Sequence, residues 1–256
     1  MLKVKGLTKY FKIGPWWNPK KKIAIGIEDI TFELKKGESI GIVGESGCGK
    51  TTLLNTLLLI YKPDRGEIWL YGRNLITLPE SEQRVLRRGF GILFQDPRGA
   101  INPRWTVEAI ITEPLDIYKS KLLNTERMQL AKEMMDAVRL PYSYLKKRPT
   151  ELSAGECQRV ALARSLILKP DMLFLIDEPT SNLDAINQAL IIKLIKDIQK
   201  AYNFSILFVT HNIALAKHVT DRILIMRKGR IVEVVESKSL TKGYGSGYIH
   251  ELMEDL

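Results

Sequence analysis

Gly44-Glu45-Ser46-Gly47-Cys48-Gly49-Lys50-Thr51 stands between an apolar run, Glu38–Val43, and a stretch with helical spacing, Thr51–Ile60. The three glycines let the backbone curl until successive N–H groups turn toward one point, and a lysine followed by a hydroxyl completes the pattern of a phosphate-binding loop. Strand, glycine-rich loop and helix, in that order, are the context such a loop requires. The helix N-terminus adds its dipole. On this reading Glu45, Ser46, Gly47, Cys48 and Gly49 line the phosphates through their backbone, and Lys50 reaches the β- and γ-phosphates. Thr51 offers its hydroxyl to Mg²⁺, with Thr52 beside it in the same first turn.

Outward from this loop, strands alternate with helices. Phe90–Phe94, Met172–Ile176 and Ser205–Val209 are continuous runs of branched and aromatic residues, the pattern of parallel strands buried on both faces. Between the last two, Leu190, Ile191, Leu194, Ile195 and Ile198 recur at helical spacing within Ala185–Ala201. These runs predict an α/β fold, a P-loop nucleotide-hydrolase core with a mostly parallel sheet. Residues 1–36 differ: short alternating pieces, Leu2–Leu7 and Ile23–Phe32, flank Pro15-Trp16-Trp17-Asn18-Pro19 and predict an antiparallel N-terminal β-subdomain. Residues 105–168 lack strand signals. There Glu126–Val138 sets Leu130, Met134, Ala137 and Val138 on one face before Pro141, so the segment reads as an inserted α-helical subdomain. Residues 235–256 read as a short helical tail to a single domain spanning 1–256.

Composition narrows the partners. The 256 residues are 45% hydrophobic and 27% charged, an ordinary globular mixture that excludes a disordered or fibrous chain. The formal charge of +10 favours an anionic partner. Residues 1–36 hold nine lysines against three acids, and residues 140–170 hold six basic residues against two acids. That concentration points to nucleotide before lipid and does not resemble a nucleic-acid footprint. Cys48 and Cys157 form no disulfide framework, and His211, His218 and His250 are too scattered for a metal cluster. The first residues lack the apolar run of a signal peptide. Leu53–Ile60, the most apolar stretch, falls well short of the roughly 20 residues a membrane span needs. A soluble, cytoplasmic chain is expected.

Asp177 and Glu178 follow the run Met172–Ile176, which puts two acids at the carboxyl edge of the sheet, where α/β proteins bind ligands. Taken alone, such a pair also serves as a helix cap. With a phosphate loop upstream, Asp177 holds Mg²⁺ through water and Glu178 acts as the general base on the attacking water. Gln95, at the end of Phe90–Phe94, is placed to reach Mg²⁺ and that water. His211, after Ser205–Val209, is placed to reach the γ-phosphate; taken alone, a glutamine or histidine at a strand end is more often structural. Cys48, near a helix N-terminus and Lys50, is expected to have a lowered thiol pKa, and its modification to block ATP binding.

Set in order, Gly44–Thr51, Gln95, Leu152-Ser153-Ala154-Gly155-Glu156, Leu173–Glu178, Ser181–Asp184 and His211 resemble the motifs of an ABC-type ATPase, over nearly the whole chain. The resemblance implies the ABC ATPase fold and a subunit that dimerises head to tail with an identical or different ATPase. Each ATP then lies between one P-loop and the other subunit's signature segment. Ser153, Ala154, Gly155 and Glu156, opening a helix Cys157–Leu168, would meet the partner's γ-phosphate, and Asp184 would cross the interface. Gln95 would link nucleotide to the helical subdomain, where permease subunits dock. An aromatic near the N-terminus would stack on adenine, Phe11 first and Tyr10 second, with a plain core role the alternative for either. Glu156 stands where the family usually has glutamine.

The segment Gln95-Asp96-Pro97-Arg98-Gly99-Ala100-Ile101-Asn102-Pro103, followed by Glu113-Pro114-Leu115, is similar to the oligopeptide, dipeptide and nickel importer ATPases. So are the basic-aromatic insertion Ile13–Lys22 and the ending Tyr248–Leu252. The implied activity is ATP hydrolysis powering import, of peptides first, with nickel or oligosaccharide as alternatives and, behind these, the role of a nucleic-acid-associated ABC ATPase. An extracellular solute-binding protein and a place at the cytoplasmic membrane face follow from the same resemblance. Two positions stay open in meaning. Ala154 replaces the family's usual glycine, and either weakens one signature half-site or sits in an ordinary helical start. Trp16-Trp17 with Lys20–Lys22 is either a lipid-facing or partner-facing loop or a solvated hairpin tip.

Overall fold

The structure, a computed structural model, describes residues 1–14, 22–94, 96, 98–118, 121–176 and 185–240. The chain divides into two compact units, Met1–Arg87 with Leu207–Leu256, and Arg88–Ile206. The first unit opens with β1 (Leu2–Ile13), β2 (Lys22–Leu34), β3 (Ser39–Val43), α1 (Lys50–Leu57), β4 (Arg65–Leu70), β5 (Arg73–Asn74) and α2 (Glu80–Arg87). The second contains β6 (Phe90–Leu93), α3 (Val107–Tyr118), α4 (Asn124–Ala137), α5 (Ala154–Leu166), β7 (Met172–Ile176) and α6 (Ala185–Tyr202). Then β8 (Ser205–Thr210) leads back to the first unit, which ends with α7 (Ile213–Val219), β9 (Arg222–Arg227) and β10 (Arg230–Glu236).

In the first unit an antiparallel sheet has the order β2-β1-β4-β5. Leu2, Val4 and Leu7 face Ile27, Ile30, Leu34, Ile68 and Leu70, all buried. The first two strands outrun the expected Leu2–Leu7 and Ile23–Phe32, because register shifts between Val4 and Tyr10 absorb the broken alternation and let pairing continue. The sheet also runs past residue 36, since β4 pairs with β1 from Leu2↔Leu70 to Thr8↔Arg65. Next in this unit come β10, β9, β3 and β8 as neighbours. Here β3 and β9 are parallel, from Ile40↔Arg222 to Val43↔Ile225, and β10 returns antiparallel on β9. Every residue of β3 and β8 is buried, as continuous apolar runs require. A reciprocal pair of bonds fixes the start of β3: Ser39 N donates to Asp221 Oδ2, and Asp221 N to the Ser39 carbonyl, both at 2.8 Å. The α1 helix stops at Leu57, short of the expected Ile60. Leu59 adopts φ 57°, and the N–H groups of Ile60 and Tyr61 both turn back to the Asn55 carbonyl.

In the second unit β6 and β7 pair in parallel, from Phe90↔Met172 to Leu93↔Leu175, with Phe90 edge-on to Phe174 at 5.2 Å. β6 ends at Leu93, and Phe94 is exposed. Helices α3, α4, α5 and α6 belong to the same unit. Glu113 of α3 accepts from Arg164 of α5 at 2.7 Å, and α4 buries Ala131, Met134 and Met135. The signature helix starts at Ala154, three residues before the expected Cys157. α6 buries Ile191, Leu194, Ile195 and Ile198, while Leu190 faces solvent. Among the described residues no helix is long and apolar enough to cross a membrane.

Candidate nucleotide site

The loop between β3 and α1 is pressed against its neighbours at Gly44 and Gly49 so closely that a side chain is excluded at both. A Cβ on Gly44 would collide with the Met226 carbonyl of β9, and one on Gly49 with the Gly26 carbonyl of β2. Gly49 also takes φ 110°, which disfavours any residue with a Cβ. The turn at Lys228 and Gly229, both at positive φ (46° and 81°), supplies a brace. Gly229 donates its N–H to the Cys48 carbonyl and accepts from Glu28 N, each at 2.8 Å. Neither Gly26 nor Gly229 is singled out by the loop motif. A glycine inside an alternating strand is nevertheless a sign of close backbone approach, and that signal was available at Gly26.

The loop fits a phosphate group. α1 begins with no side-chain cap and no acid in its first turn, so no carboxylate of its own opposes an anion at its positive end. Lys50 is buried, and its ammonium donates to the carbonyls of Gly44 at 2.6 Å and Glu45 at 2.8 Å, which sets a positive charge inside the loop. Thr51 is exposed in the same turn, with Thr52 half-buried beside it. Hydroxyl, amide and carboxylate oxygens, the donor types of Thr51, Gln95 and Asp177, suit Mg²⁺. Gln95, Asp177, Glu178 and Asp184 lie outside the described residues, as do Trp16 and Trp17. Among the described residues no three His, Cys, Asp or Glu side chains cluster as a metal site.

Cys48 departs from expectation. Burial pushes its thiol pKa up, and the nearby Lys50 charge only partly offsets that. The thiol is therefore less ionised at neutral pH than a free cysteine, because desolvation of the thiolate exceeds the attraction of Lys50.

The two aromatic candidates have different neighbours. The Phe11 ring is half-buried, edge-on to Tyr61 at 5.4 Å, with Lys9 Nζ 5.9 Å from its centroid. A Cβ added at Gly26 would meet both Phe11 and Thr52, so Phe11 borders the first turn of α1. Tyr10 donates its hydroxyl to Glu28 at 3.2 Å, and Glu28 in turn accepts from Arg230 at 2.7 Å. His211 is exposed at the end of β8, where Asn212 caps α7 by accepting from Leu215 N at 2.8 Å.

In the second unit the signature segment forms a capping box. Ser153 N donates to Glu156 Oε2 at 2.8 Å, and Glu156 N donates to Ser153 Oγ at 3.3 Å. The first of these bonds holds the Glu156 carboxyl below the usual range; burial opposes it, while Tyr144 and Lys147 assist. Ala154 is the first residue of α5 and takes an ordinary helical conformation, so its methyl group imposes no backbone strain. A Cβ on Gly155 would meet nothing within 4 Å. A cleft of about 250 Å³ opens here, lined in part by Ser153, Gly155, Glu156, Arg139 and Arg159. Arg139 pairs with Asp197 at 2.9 Å.

Residues 27–181 match the family model described as ABC transporter. The putative oligopeptide transport ATP-binding protein YkfD of Bacillus subtilis is 38% identical over 94% of this chain and 71% of its own length. The nickel import ATP-binding protein NikE of Escherichia coli is 37% identical over 97% of this chain and 92% of its own. Among solved structures, the ATP-binding cassette MJ0796, in a dimeric post-hydrolysis state bound to ADP and Pi, superposes with a TM-score of 0.79. It is 29% identical, covering 93% of this chain and 99% of that one. A phosphate loop with an uncapped helix behind it, a capped signature helix and these likenesses have one common account: the chain belongs to the ABC transporter family, as an ATP-binding subunit of the ATPases that power transport.

Proposed function

We propose that this chain powers a peptide importer, working as half of a head-to-tail ATPase dimer at the cytoplasmic face of a membrane. What carries the reading is the likeness, over nearly the whole chain, to an oligopeptide transport subunit, joined to a loop whose shape and charge suit a triphosphate. Lys50 neutralises the β- and γ-phosphates from inside the loop, and the α1 N–H groups orient them. Phe11, on the border of the first turn of α1, stacks on adenine. Glu178 takes the proton of the attacking water, with His211 at the γ-phosphate. Thr51, with Gln95 and Asp177, would hold Mg²⁺, which would supply charge neutralisation for phosphoryl transfer. The partner's Ser153–Glu156 turn aims a second helix N-terminus at the same phosphate, and Asp184 spans the interface. The helical segment 105–168 and the Gln95 loop receive permease subunits, which a solute-binding protein loads from outside. Closure on ATP and opening after hydrolysis then drive the permease.

The assembled complex tests this in two steps. Glu178→Gln is expected to reduce turnover by about 10²-fold or more, the usual worth of a general base, while ATP still binds. Wild-type ATPase is then measured with binding protein loaded with oligopeptide or with nickel. Stimulation by peptide alone is expected; stimulation by nickel alone replaces the peptide reading with the nickel one, which the 37% identity to a nickel import subunit favours.

A further inference from the structure

Arg98 Nη2 donates to the Leu152 carbonyl at 2.8 Å, bridging 54 positions of sequence within the second unit. Leu152 directly precedes the signature turn. Cys157, directly after that turn, donates its thiol to the Pro149 carbonyl at 3.5 Å; burial raises its thiol pKa, and the Arg98 charge offsets part of that rise. Cys157 N in turn donates to the Ser153 carbonyl at 3.0 Å. Arg98 thus holds the residue that precedes Ser153–Glu156, and the Cys157 N–H ties the residue that follows it back to Ser153. Arg98 is itself set by a local turn: its N–H donates to Asp96 Oδ1 at 3.1 Å, and Ala100 N donates to the Asp96 carbonyl at 3.1 Å. Inside the turn, the capping box joins Ser153 to Glu156, and Tyr144 and Lys147 help hold the Glu156 carboxyl below the usual range. The planar, always-charged guanidinium can serve two acceptors in fixed geometry, which a lysine ammonium does less well.

We propose that Arg98 is a positioning residue for the signature turn, coupling residues 96–100, the stretch that follows Gln95, to the N–H groups of Ser153–Glu156. The proposal rests on the reading that Gln95 responds to the subunit's own nucleotide while Ser153–Glu156 meets the partner's. A shift in residues 96–100 then moves the Leu152 carbonyl, and the turn aimed at the second ATP moves with it. Arg98 touches no phosphate in this scheme, so its loss leaves ATP affinity at the P-loop unchanged.

The experiment follows amide hydrogen exchange at residues 153–157 in the full chain, with and without Mg-ATP. Wild type, Arg98→Met and Arg98→Lys are compared, and ATP affinity, melting temperature, kcat and KM are measured for each. In wild type, ATP is expected to slow exchange at 153–157. In Arg98→Met that response falls by about tenfold, the worth of one hydrogen bond from a charged donor, and kcat falls at constant KM. Arg98→Lys recovers part of both. An Arg98→Met chain that responds like wild type overturns the proposal. So does one whose exchange rises along all of α5 with a lowered melting temperature, since Arg98 is then only structural. Wild-type chain that binds ATP with no response at 153–157 overturns the coupling alone, whereas failure to bind ATP overturns the nucleotide reading beneath it.

Discussion

At Cys48 two effects of opposite sign act on one thiol. The N-terminus of α1 and the Lys50 ammonium favour the thiolate, but the side chain is only 6% exposed, and losing water costs the charged form more. The sign then fixes the pH dependence. A raised pKa means that the reactive thiolate is scarce at neutral pH and accumulates only above the ordinary thiol range. Alkylation of Cys48 in the Cys157→Ser chain is therefore expected to be slower than that of a free thiol at neutral pH. Its rate should climb through the alkaline range, and Mg-ATP should suppress it. Timed alkylation read by mass spectrometry decides the matter; a fast, pH-independent reaction near neutrality would restore the lowered pKa that motif position alone suggested. Position in sequence locates this cysteine correctly but does not count the atoms packed over it, and burial is the larger cause.

The α5 helix separates two demands that usually coincide. Its first turn is stabilised by the Ser153–Glu156 capping box, worth about 0.5–2 kcal/mol where such caps have been removed. Gly155 meets no steric requirement there, because the space a Cβ would occupy is open. Gly155→Asp is therefore expected to leave the melting temperature unchanged or slightly raised, since an acid in a first helical turn gains about 0.3–1 kcal/mol from the dipole. ATPase of the assembled dimer should be abolished, because the added charge repels the partner's phosphate. Calorimetry and turnover on the same preparation test both halves. A variant that melts early, or that still turns over at the wild-type rate, sinks the assignment. Legibility in the sequence follows the same division. The fully buried strands β3 and β8, and β7 with its buried Met172, Leu173 and Phe174, stood out as unbroken apolar runs, and the order of the motifs located both the loop and the signature. The half-buried β4, Arg65-Gly66-Glu67-Ile68-Trp69-Leu70, gave no comparable signal, because its membership of the antiparallel sheet depends on pairing with β1, more than fifty residues earlier. α3 contains Pro114, a residue that argues locally against a helix but is carried here by burial of Val107, Ile110, Ile111 and Leu115. The bond from Arg98 to the Leu152 carbonyl was beyond local reading altogether, since its partner lies 54 positions away.

At the scale of the whole molecule the phosphate loop belongs to one compact unit and the signature turn to the other, so each can be disabled without touching the other. Charge does not distinguish the two: the +10 surplus is divided between the lysine-rich first 36 residues and the segment 140–170 around the signature. Lys3 and Lys5, both exposed, also pair with Glu33 and Glu67 across the antiparallel sheet at 3.7 and 3.9 Å, contacts worth little in water. The arrangement of sites has to be read from function. If each ATP site combines one subunit's loop with its partner's signature, Lys50→Ala spoils one component and Gly155→Asp the other. A mixed dimer of the two then contains one site with both defects and one with neither. Random exchange places half of the subunit pairs in mixed dimers, so mixing two inactive preparations should recover up to roughly a quarter of wild-type turnover in the self-associated chain. If instead each site is completed within a single subunit, every site in the mixture carries one defect and nothing is recovered. Turnover that appears only on mixing, and disappears when subunit exchange is blocked by prior cross-linking of each preparation, places the active ATPase between two copies.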